Sequence, residues 1–212
     1  MMKGNIPPAT IERLTYYRRH LERYLNRSAS GANFISSGEL GSQTHLSAAT
    51  VRRDLFYVKP GGKPRLGYDV KKLCLTLDAV LGLDKRWKVV LVGAGNLGKA
   101  LSFYQGFRKL GFEIVAIFDN DREKVGRNWN GIKVNHIKNI AGVIKSGKIR
   151  IAVLAVPFGA AQGMADMLTK AGIKAILNFA PVSVAAPSGV FVRNVDLSTE
   201  LENLSHFLVS EA

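Results

Sequence analysis

The sequence has one cysteine, four histidines and no long apolar run, and each shortage excludes a class of protein. The lone thiol of Cys74 cannot form a disulfide within the chain, and with scattered histidines it offers no metal-ligand spacing. No stretch approaches the roughly 20 apolar residues of a membrane span, and the first residues lack the apolar core of a signal peptide. We therefore expect a cytoplasmic protein with no bound metal and no membrane partner.

Positive charge is abundant. The 212 residues include 30 Lys and Arg against 16 Asp and Glu, a formal net charge of +14 at pH 7. Between residues 42 and 72 there are seven basic residues and two acidic ones. Basic charge alone is usually a solvated surface, but its concentration around one short motif favours a nucleic-acid partner.

A glycine motif at residues 88–98 organises the C-terminal two thirds. The apolar strand 89–92 ends in G-x-G-x-x-G, and a helix is expected over residues 99–110. Such a motif permits a tight turn, a close approach of the backbone to a pyrophosphate and close packing of the helix on the strand. The helix N-terminus then offers N–H groups to phosphates. The predicted cofactor residues here are Gly93, Ala94, Gly95, Asn96, Leu97 and Gly98.

An acidic residue sets the expected choice of cofactor. A second strand, 113–118, is followed by Asp119, 21 residues after Gly98, where a carboxylate can bind the adenosine ribose of NAD. Arg122 and Lys124 lie close by and could indicate NADP, but a carboxylate at Asp119 would repel a 2′-phosphate. We therefore predict NADH and NAD⁺ as ligands. The alternative is a glycine turn in an ordinary strand–helix unit.

Strands and helices continue to alternate after Asp119, which predicts a doubly wound parallel sheet. Strands are expected at 132–134, 149–156, 175–179 and 190–192, and helices at 137–145 and 159–171. Two loops that follow strands are predicted to line the nicotinamide side of the pocket, although proline commonly ends a strand. Tyr104 reaches the same pocket or packs against the sheet. The predicted loop residues are Val156, Pro157, Asn178, Phe179, Ala180 and Pro181.

The N-terminal third reads as a helix-turn-helix. A first helix carries apolar residues from Ile11 to Leu25, and a Ser/Gly-rich break spans residues 27–33. A capping box at residues 36–39 opens a short second helix, and Ser47 can cap a third over 48–57. On that third helix one apolar stripe faces inward and Arg53 points away from it. Such an outward face of small and basic residues is typical of a recognition helix.

A basic loop rich in Gly and Pro, residues 59–68, follows this helix and has the composition of a β-wing. We expect it to lie along the DNA backbone. A three-helix packing module with an exposed basic face is the alternative. The predicted DNA-binding residues are Ser47, Ala49, Thr50, Arg52, Arg53 and Tyr57 of the third helix, and Lys59, Lys63 and Arg65 of the loop.

A separate helix closes the chain. Thr199 and Glu202 have the spacing of a second capping box, and Leu197, Leu201, Leu204 and Leu208 fall on one stripe. This stripe must be buried on the helix's own domain or on a second copy of the protein. The expected organisation is a winged helix domain at 1–84, a Rossmann domain at 85–196 and a C-terminal helix at 197–212, which is a dimerisation helix if its stripe packs on a second copy.

Eight short stretches together resemble the Rex family of redox-sensing transcriptional repressors along nearly the whole chain. They are Ile35-Ser-Ser, Val51-Arg-Arg-Asp-Leu55, Leu66-Gly-Tyr-Asp-Val70, Val92-Gly-Ala-Gly-Asn-Leu-Gly98, Phe118-Asp119, Val156-Pro157, Asn178-Phe-Ala-Pro181 and Val195-Asp-Leu197. One segment departs from the family, which usually has Phe-Gly-x-Phe-Gly after the third helix. Here residues 57–62 read Tyr-Val-Lys-Pro-Gly-Gly, so we expect a wing of different shape.

The resemblance implies a homodimer in which the C-terminal helices are exchanged between subunits. It implies binding to a palindromic operator upstream of genes for NADH-consuming or fermentative metabolism, and release of that operator when NADH binds. It also implies that Tyr104 lies beside the nicotinamide, and that Arg19 and Asp196 take part in the switch between subunits.

The alternative function is an NAD-dependent dehydrogenase with a basic N-terminal extension. Such an enzyme needs a substrate domain and a general acid or base near the hydride position. Only 16 residues follow Asp196, and His136, the one histidine of the nucleotide domain, precedes a helix on the adenine half. The sequence shows no catalytic constellation, and we expect a protein that is not an enzyme.

Overall fold

The computed structural model of the protein describes residues 6–27 and 34–210. The chain forms two compact units, Met1–Lys85 and Arg86–Ala212, which we describe separately. Most of the Ser/Gly-rich break expected at residues 27–33 lies outside the described residues. Arg27 alone belongs to the first helix.

The first unit is a winged helix-turn-helix, as the sequence predicted. Its elements are α1 (Pro8–Arg27), β1 (Phe34–Ile35), α2 (Ser37–Thr44), α3 (Ala48–Val58), β2 (Gly62–Lys63), β3 (Gly67–Asp69) and α4 (Val70–Leu81). The expected capping box at α2 is present, since Ser36 and Glu39 bond each other's backbone N–H. Ser47 caps α3 by accepting a hydrogen bond from the Thr50 N–H. β2 and β3 form an antiparallel hairpin, and β1 pairs with the other edge of β3.

The core of this unit is made by the apolar faces of its helices. Fully buried side chains of α1 pack against those of α3 and α4, namely Leu14, Tyr17, Leu21, Val51, Leu55, Leu73 and Leu77. Cys74 packs at the margin of this core, and burial raises the pKa of its thiol to about 11. The thiol is therefore protonated at neutral pH, and Cys74 behaves as a small apolar residue.

The second unit is built around a seven-stranded sheet. Its elements are β4 (Trp87–Val92), α5 (Asn96–Phe103), α6 (Gln105–Lys109), β5 (Phe112–Asp119), β6 (Asn128–Trp129), β7 (Ile132–His136), a 3-10 turn (Ile137–Asn139), α7 (Ile140–Gly147), β8 (Ile151–Leu154), α8 (Phe158–Ala171), β9 (Ala175–Asn178), β10 (Phe191–Asn194) and α9 (Leu197–Ser210). The strand order is β10-β9-β8-β4-β5-β7-β6, and all pairs except β6·β7 are parallel. Leaving out β6, this is the Rossmann order.

The central strands of this sheet are apolar on both faces, because alternate residues point to opposite sides. Val90 and Val92 of β4 pack in a cluster that includes α7 and α8. Val89 and Leu91 point the other way, into a cluster with Leu101 of α5. The continuous apolar run of β4 therefore packs into two separate cores, one on each face of the sheet.

Several expected boundaries were wrong. The helix expected over 99–110 is two helices, because Tyr104 adopts an extended conformation between α5 and α6 and its ring lies against Gly106. The helix expected over 137–145 opens with a 3-10 turn. The capping box predicted at Thr199 and Glu202 does not open α9, because the helix begins at Leu197 and Thr199 lies inside its first turn. The two-residue strand β6 was missed, because it is too short to show a period.

Candidate dinucleotide site and nucleic-acid interface

A cleft lies at the point where the strand order of the sheet reverses. β4 and β8 are neighbours, and the chain leaves their carboxyl ends toward helices on opposite faces. Rossmann folds bind dinucleotides in this crevice. The cleft has a volume of about 480 Å³. The predicted cofactor residues that line it are Gly93, Gly95, Asn96, Leu97, Asp119, Val156, Pro157 and Phe179.

The three glycines of the motif meet three different geometric demands. Gly93 has φ +102°, and a Cβ there would lie 2.1 Å from the Ala155 carbonyl oxygen. A Cβ on Gly98 would lie 1.9 Å from the Gly93 oxygen, so α5 can approach β4 only without a side chain at that position. A Cβ on Gly95 would meet nothing described within 4 Å. Gly95 therefore leaves open the space that a pyrophosphate occupies at the N-terminus of α5.

Asp119 is a buried acidic group at the edge of the cleft. One carboxylate oxygen accepts the Ala94 N–H at 2.6 Å, and the other accepts the Asp121 N–H at 2.9 Å. The Lys124 ammonium lies 3.8 Å from Asp119 and 3.2 Å from Asp121. The Glu123 N–H and then Lys124 lower the pKa of the Asp121 carboxyl below its ordinary value. The carboxylate of Asp119 is thus held at the edge of the cleft, where a ribose hydroxyl can bond it.

The remaining predicted cofactor residues are not among the residues that line this cleft. Ala94 donates to Asp119, and Gly98 packs on Gly93. Asn178 is fully buried, and its side chain bonds the backbone of Val182 and Ala180 and the side chain of Asn194. This network shapes the loop that follows β9, which includes buried Ala180 and exposed Pro181.

Tyr104 is exposed over 60% of its surface and lines a separate cavity of about 180 Å³. Its ring makes an edge-on contact with Phe107, at a centroid distance of 5.1 Å. The predicted place of Tyr104 beside the nicotinamide is therefore not formed by the cleft of this chain.

Other lining residues were not predicted as cofactor contacts. They are Val92, Asn120, Lys124, Ile137, Ala155, Ala160 and Met164. Ala160 and Met164 lie one turn apart on α8, whose N-terminus follows β8 at the same crevice. The sequence did contain a signal for them, because the helix predicted over 159–171 directly follows a buried strand, and such helices begin at the ligand crevice of a Rossmann fold.

Replacing Asp119 tests the adenosine assignment. Asp119→Ala is expected to weaken NADH binding roughly 10- to 150-fold, because a hydrogen bond to a charged group contributes about 1.5–3 kcal/mol. Wild-type protein should bind NADPH much more weakly than NADH. Calorimetry on both cofactors measures these effects, with Glu123→Ala as a matched acidic control in the same loop. Equal wild-type affinities for NADH and NADPH would show the assignment to be wrong.

The outward face of α3 is the candidate nucleic-acid surface. Ala49, Arg52, Arg53 and Tyr57 are exposed, and the Arg52 guanidinium donates to the Ser37 hydroxyl of α2 at 3.0 Å. Ser47 and Thr50 are joined at the N-terminus of the helix, with 2.9 Å between their hydroxyl oxygens. Arg53 therefore extends from a helix whose first turn is fixed by side-chain hydrogen bonds.

One residue on this face was not predicted. Phe56 is exposed over 73% of its surface, one turn after Arg53. The outward face was expected to carry small and basic side chains together with Tyr57, and no role was predicted for Phe56.

The orientation of α3 depends on a buried carboxylate. Asp54 is fully buried and accepts two hydrogen bonds from the Arg13 guanidinium, at 2.6 and 2.7 Å. Tyr17 donates to it at 2.8 Å and Thr10 at 3.2 Å. Burial opposes the charge, but these donors outweigh it and keep the pKa of Asp54 below its ordinary value. The network therefore fixes α3 on α1. Because Asp54 is paired with Arg13, its negative charge does not neutralise the exposed cations of α3.

The hairpin after α3 carries the other predicted basic residues. Lys59 ends α3 in the left-handed conformation, with φ 48°. The Lys63 ammonium lies 5.2 Å above the centre of the Phe34 ring, and Arg65 occupies the turn with φ 66°. Lys63 and Arg65 lie on a short exposed hairpin, which is the expected wing, and Lys59 precedes it at the end of α3.

Base reading and backbone binding can be separated on this surface. Arg53→Ala is expected to cost about 1–3 kcal/mol of discrimination between operator and random DNA. Lys63→Ala and Arg65→Ala should weaken both kinds of DNA alike and flatten the salt dependence. Anisotropy titrations at several salt concentrations measure both effects, with Lys170→Ala of α8 as a control. An equal loss on both DNAs for Arg53→Ala would make Arg53 a phosphate contact.

The predicted switch residues lie in different units. Arg19 is exposed on α1. Asp196 precedes α9 and accepts both the Ser198 N–H at 2.9 Å and its hydroxyl at 2.6 Å. These hydrogen bonds lower the pKa of Asp196.

Two further findings concern the chain as far as it is described. Residues 6–27 and 34–210 contain no helix long and apolar enough to cross a membrane. The same residues contain no group of three or more His, Cys, Asp and Glu side chains arranged to hold a metal ion.

Comparisons with known proteins agree with this architecture. A family described as "Putative DNA-binding protein N-terminus" matches residues 5–55, and one described as "CoA binding domain" matches residues 84–182. The redox-sensing transcriptional repressor Rex of Desulforamulus reducens is 44% identical over 94% of both chains. The crystal structure of RSP with β-NADH has a TM-score of 0.87 at 37% identity, over 99% of this chain and 97% of that one. RSP with β-NAD⁺ and operator DNA has a TM-score of 0.92, again at 37% identity, over 99% and 95%.

A winged helix-turn-helix joined to a Rossmann domain is the architecture of a transcription regulator with a nucleotide-binding domain. The relatives are similar enough to this chain, in sequence identity and in coverage, to show its family. The chain belongs to the Rex family of redox-sensing transcriptional repressors.

Proposed function

We propose that this protein represses transcription by binding a palindromic operator, and that it releases the operator when NADH occupies the cleft of the Rossmann unit. The observation that carries the proposal is the presence of both sites in one chain. The glycine motif with Asp119 forms a dinucleotide cleft, and α3 with its hairpin forms an exposed basic surface. Solved Rex-family relatives hold NADH, or NAD⁺ with operator DNA, which supports the same assignment.

A dinucleotide fits the residues that line the cleft. Gly95 leaves room for the pyrophosphate at the N-terminus of α5, and Asp119 offers an oxygen to the adenosine ribose. The far end is lined by apolar side chains, including Val156, Met164 and Phe179. NADH and NAD⁺ are identical at the adenine end, so discrimination must arise at this apolar end. The charged ring of NAD⁺ is less compatible with an apolar pocket than the neutral ring of NADH.

We propose that the functional form is a homodimer in which the α9 helices are exchanged. The four stripe leucines of α9 are exposed over 59–70% of their surface in one protomer. On the same unit, one face of the sheet carries an apolar groove of about 410 Å³. It is lined by side chains of β4, β5, β8, β9, β10 and α6, including Val153, Leu177 and Phe191. Within the described residues no helix fills this groove. The α9 helix of a second copy would cover both apolar surfaces at once.

A dimer also provides a physical basis for the switch. Two recognition helices must be about 34–36 Å apart to enter successive major grooves. Cofactor-driven closure of the Rossmann units against each other could alter that spacing without contact with DNA. Tyr104, exposed and outside its own cleft, would take part from the dimer interface, together with Arg19 and Asp196. Only a ligand that binds the two states differently can shift them.

The proposal includes a cytoplasmic location, where operator DNA and the NADH pool meet, and no enzyme activity. A test for hydride transfer from NADH to common aldehydes, ketones and keto acids should give no turnover above the rate without protein. Sustained turnover would favour the dehydrogenase alternative.

One titration tests the function. Protein bound to a palindromic duplex, selected by this chain from a randomised library, should be released by NADH and retained with NAD⁺. The expected change in DNA affinity is about 5- to 150-fold. An identical effect of the two nucleotides would contradict redox sensing. Failure to select any duplex would contradict DNA binding.

A further inference from the structure

Phe56 is an apolar side chain on a surface otherwise adapted to a polar, negatively charged partner. It lies on α3, is exposed over 73% of its surface, and is flanked by exposed Arg52, Arg53 and Lys59. A single exposed apolar residue is normal on a protein surface, so exposure alone assigns no role. Its position on the helix is more informative.

The outward stripe of α3 runs through Ala49, Arg53 and Phe56, which are separated by four and then three residues. Helical side chains lean toward the N-terminus, so the Phe56 ring covers the surface near the turn that carries Arg53. From Arg53 to Phe56 the helix rises about 4.5 Å, little more than the roughly 3.4 Å between successive base pairs. If Arg53 reaches a base edge, the Phe56 ring lies within about one base pair of it.

The chemistry of the groove limits what this ring can contact. A phenyl ring has no hydrogen-bond donor or acceptor, and the apolar group that projects from a base edge into the major groove is the 5-methyl group of thymine. We propose that Phe56 packs against a thymine methyl in each half-site and contributes to operator specificity beside Arg53. This inference rests on the proposed DNA-binding function.

Deoxyuridine isolates the contact, because it differs from thymidine in the base only by lacking the methyl group. In a duplex selected by the wild-type chain, each thymine of one half-site is replaced in turn by uracil, and affinity is measured by anisotropy. Wild type should lose about fourfold at one position, as expected for one buried methyl group. Phe56→Ala should show no loss from the same replacement. Leu75→Ala, which removes another exposed apolar side chain of this unit, should keep the wild-type profile.

Three results would overturn the inference. The first is a Phe56→Ala profile identical to wild type at every position, and the second is a wild-type profile in which no thymine matters. The third is an equal loss for Phe56→Ala on operator and random DNA, which would place the ring against sugar and phosphate. If wild type selects no duplex at all, the proposed function itself fails, and that outcome is visible before any variant is measured.

Discussion

Deletion of residues 198–212 is expected to leave a monomer that binds a palindromic duplex about 100- to 10,000-fold more weakly than the full chain. The physical reason is the loss of two-site binding, because a dimer holds its second recognition helix at a high effective concentration near the second half-site. Burying one leucine side chain contributes about 1.5–3 kcal/mol, and each α9 presents four on one stripe. Light scattering and operator titration measure the two consequences.

A point variant keeps this prediction testable if the truncated chain is insoluble. Leu204→Glu places a charge on the apolar stripe and should also give monomers, while Glu202→Ala on the polar side of the same helix should remain dimeric. A soluble truncated dimer with wild-type DNA affinity would contradict the exchange of α9. The apolar groove on the sheet of the Rossmann unit would then need another partner.

Asp54→Ala is expected to lower the free energy of unfolding of the winged helix unit by on the order of 3 kcal/mol. The substitution removes the acceptor for Arg13, Tyr17 and Thr10, and leaves their polar groups without a buried partner. Urea unfolding measures the loss. Asp78→Ala is a matched control, because Asp78 pairs with Arg18 of the same helix α1 but is partly exposed, and it should cost about 1 kcal/mol or less.

The same network predicts a dependence on pH. Because folding lowers the pKa of Asp54, its contribution is present above the ordinary Asp pKa of about 4, and is lost as the pH falls through the lower folded value. Asp54→Asn should remove this part of the acid sensitivity of wild type. If Asp54→Ala lowers the free energy of unfolding no more than Asp78→Ala does, Asp54 does not anchor α3.

The elements that sequence predicted well are those with a local cause. The period of the apolar residues located α1 and α3, and the glycine motif located the turn between β4 and α5. In each case the residues that determine the structure are close together in the chain. Gly93 and Gly98, for example, are five residues apart, and the carbonyl of the first excludes a side chain on the second.

The features that sequence reasoning missed depend on partners distant in the chain. Arg13 and Asp54 are 41 residues apart, so the buried pair that orients α3 left no pattern in the sequence. Asn178 stays a predicted cofactor residue, but its hydrogen bond to Asn194, 16 residues later, was not visible in the sequence. The break at Tyr104 depends on a ring packed against Gly106, which helix periodicity does not report.

We expect the cleft and the recognition helices to share one equilibrium, so that NADH binding and operator binding are coupled reciprocally. If NADH lowers operator affinity by some factor, saturating operator must lower NADH affinity by the same factor. The measurement is the NADH dissociation constant of the full-length protein, determined by calorimetry with and without a saturating selected duplex. We predict a 5- to 150-fold weaker affinity in the presence of the duplex, and a smaller change for NAD⁺. An NADH affinity unchanged by operator, with NAD⁺ and NADH competing equally, would contradict a redox switch.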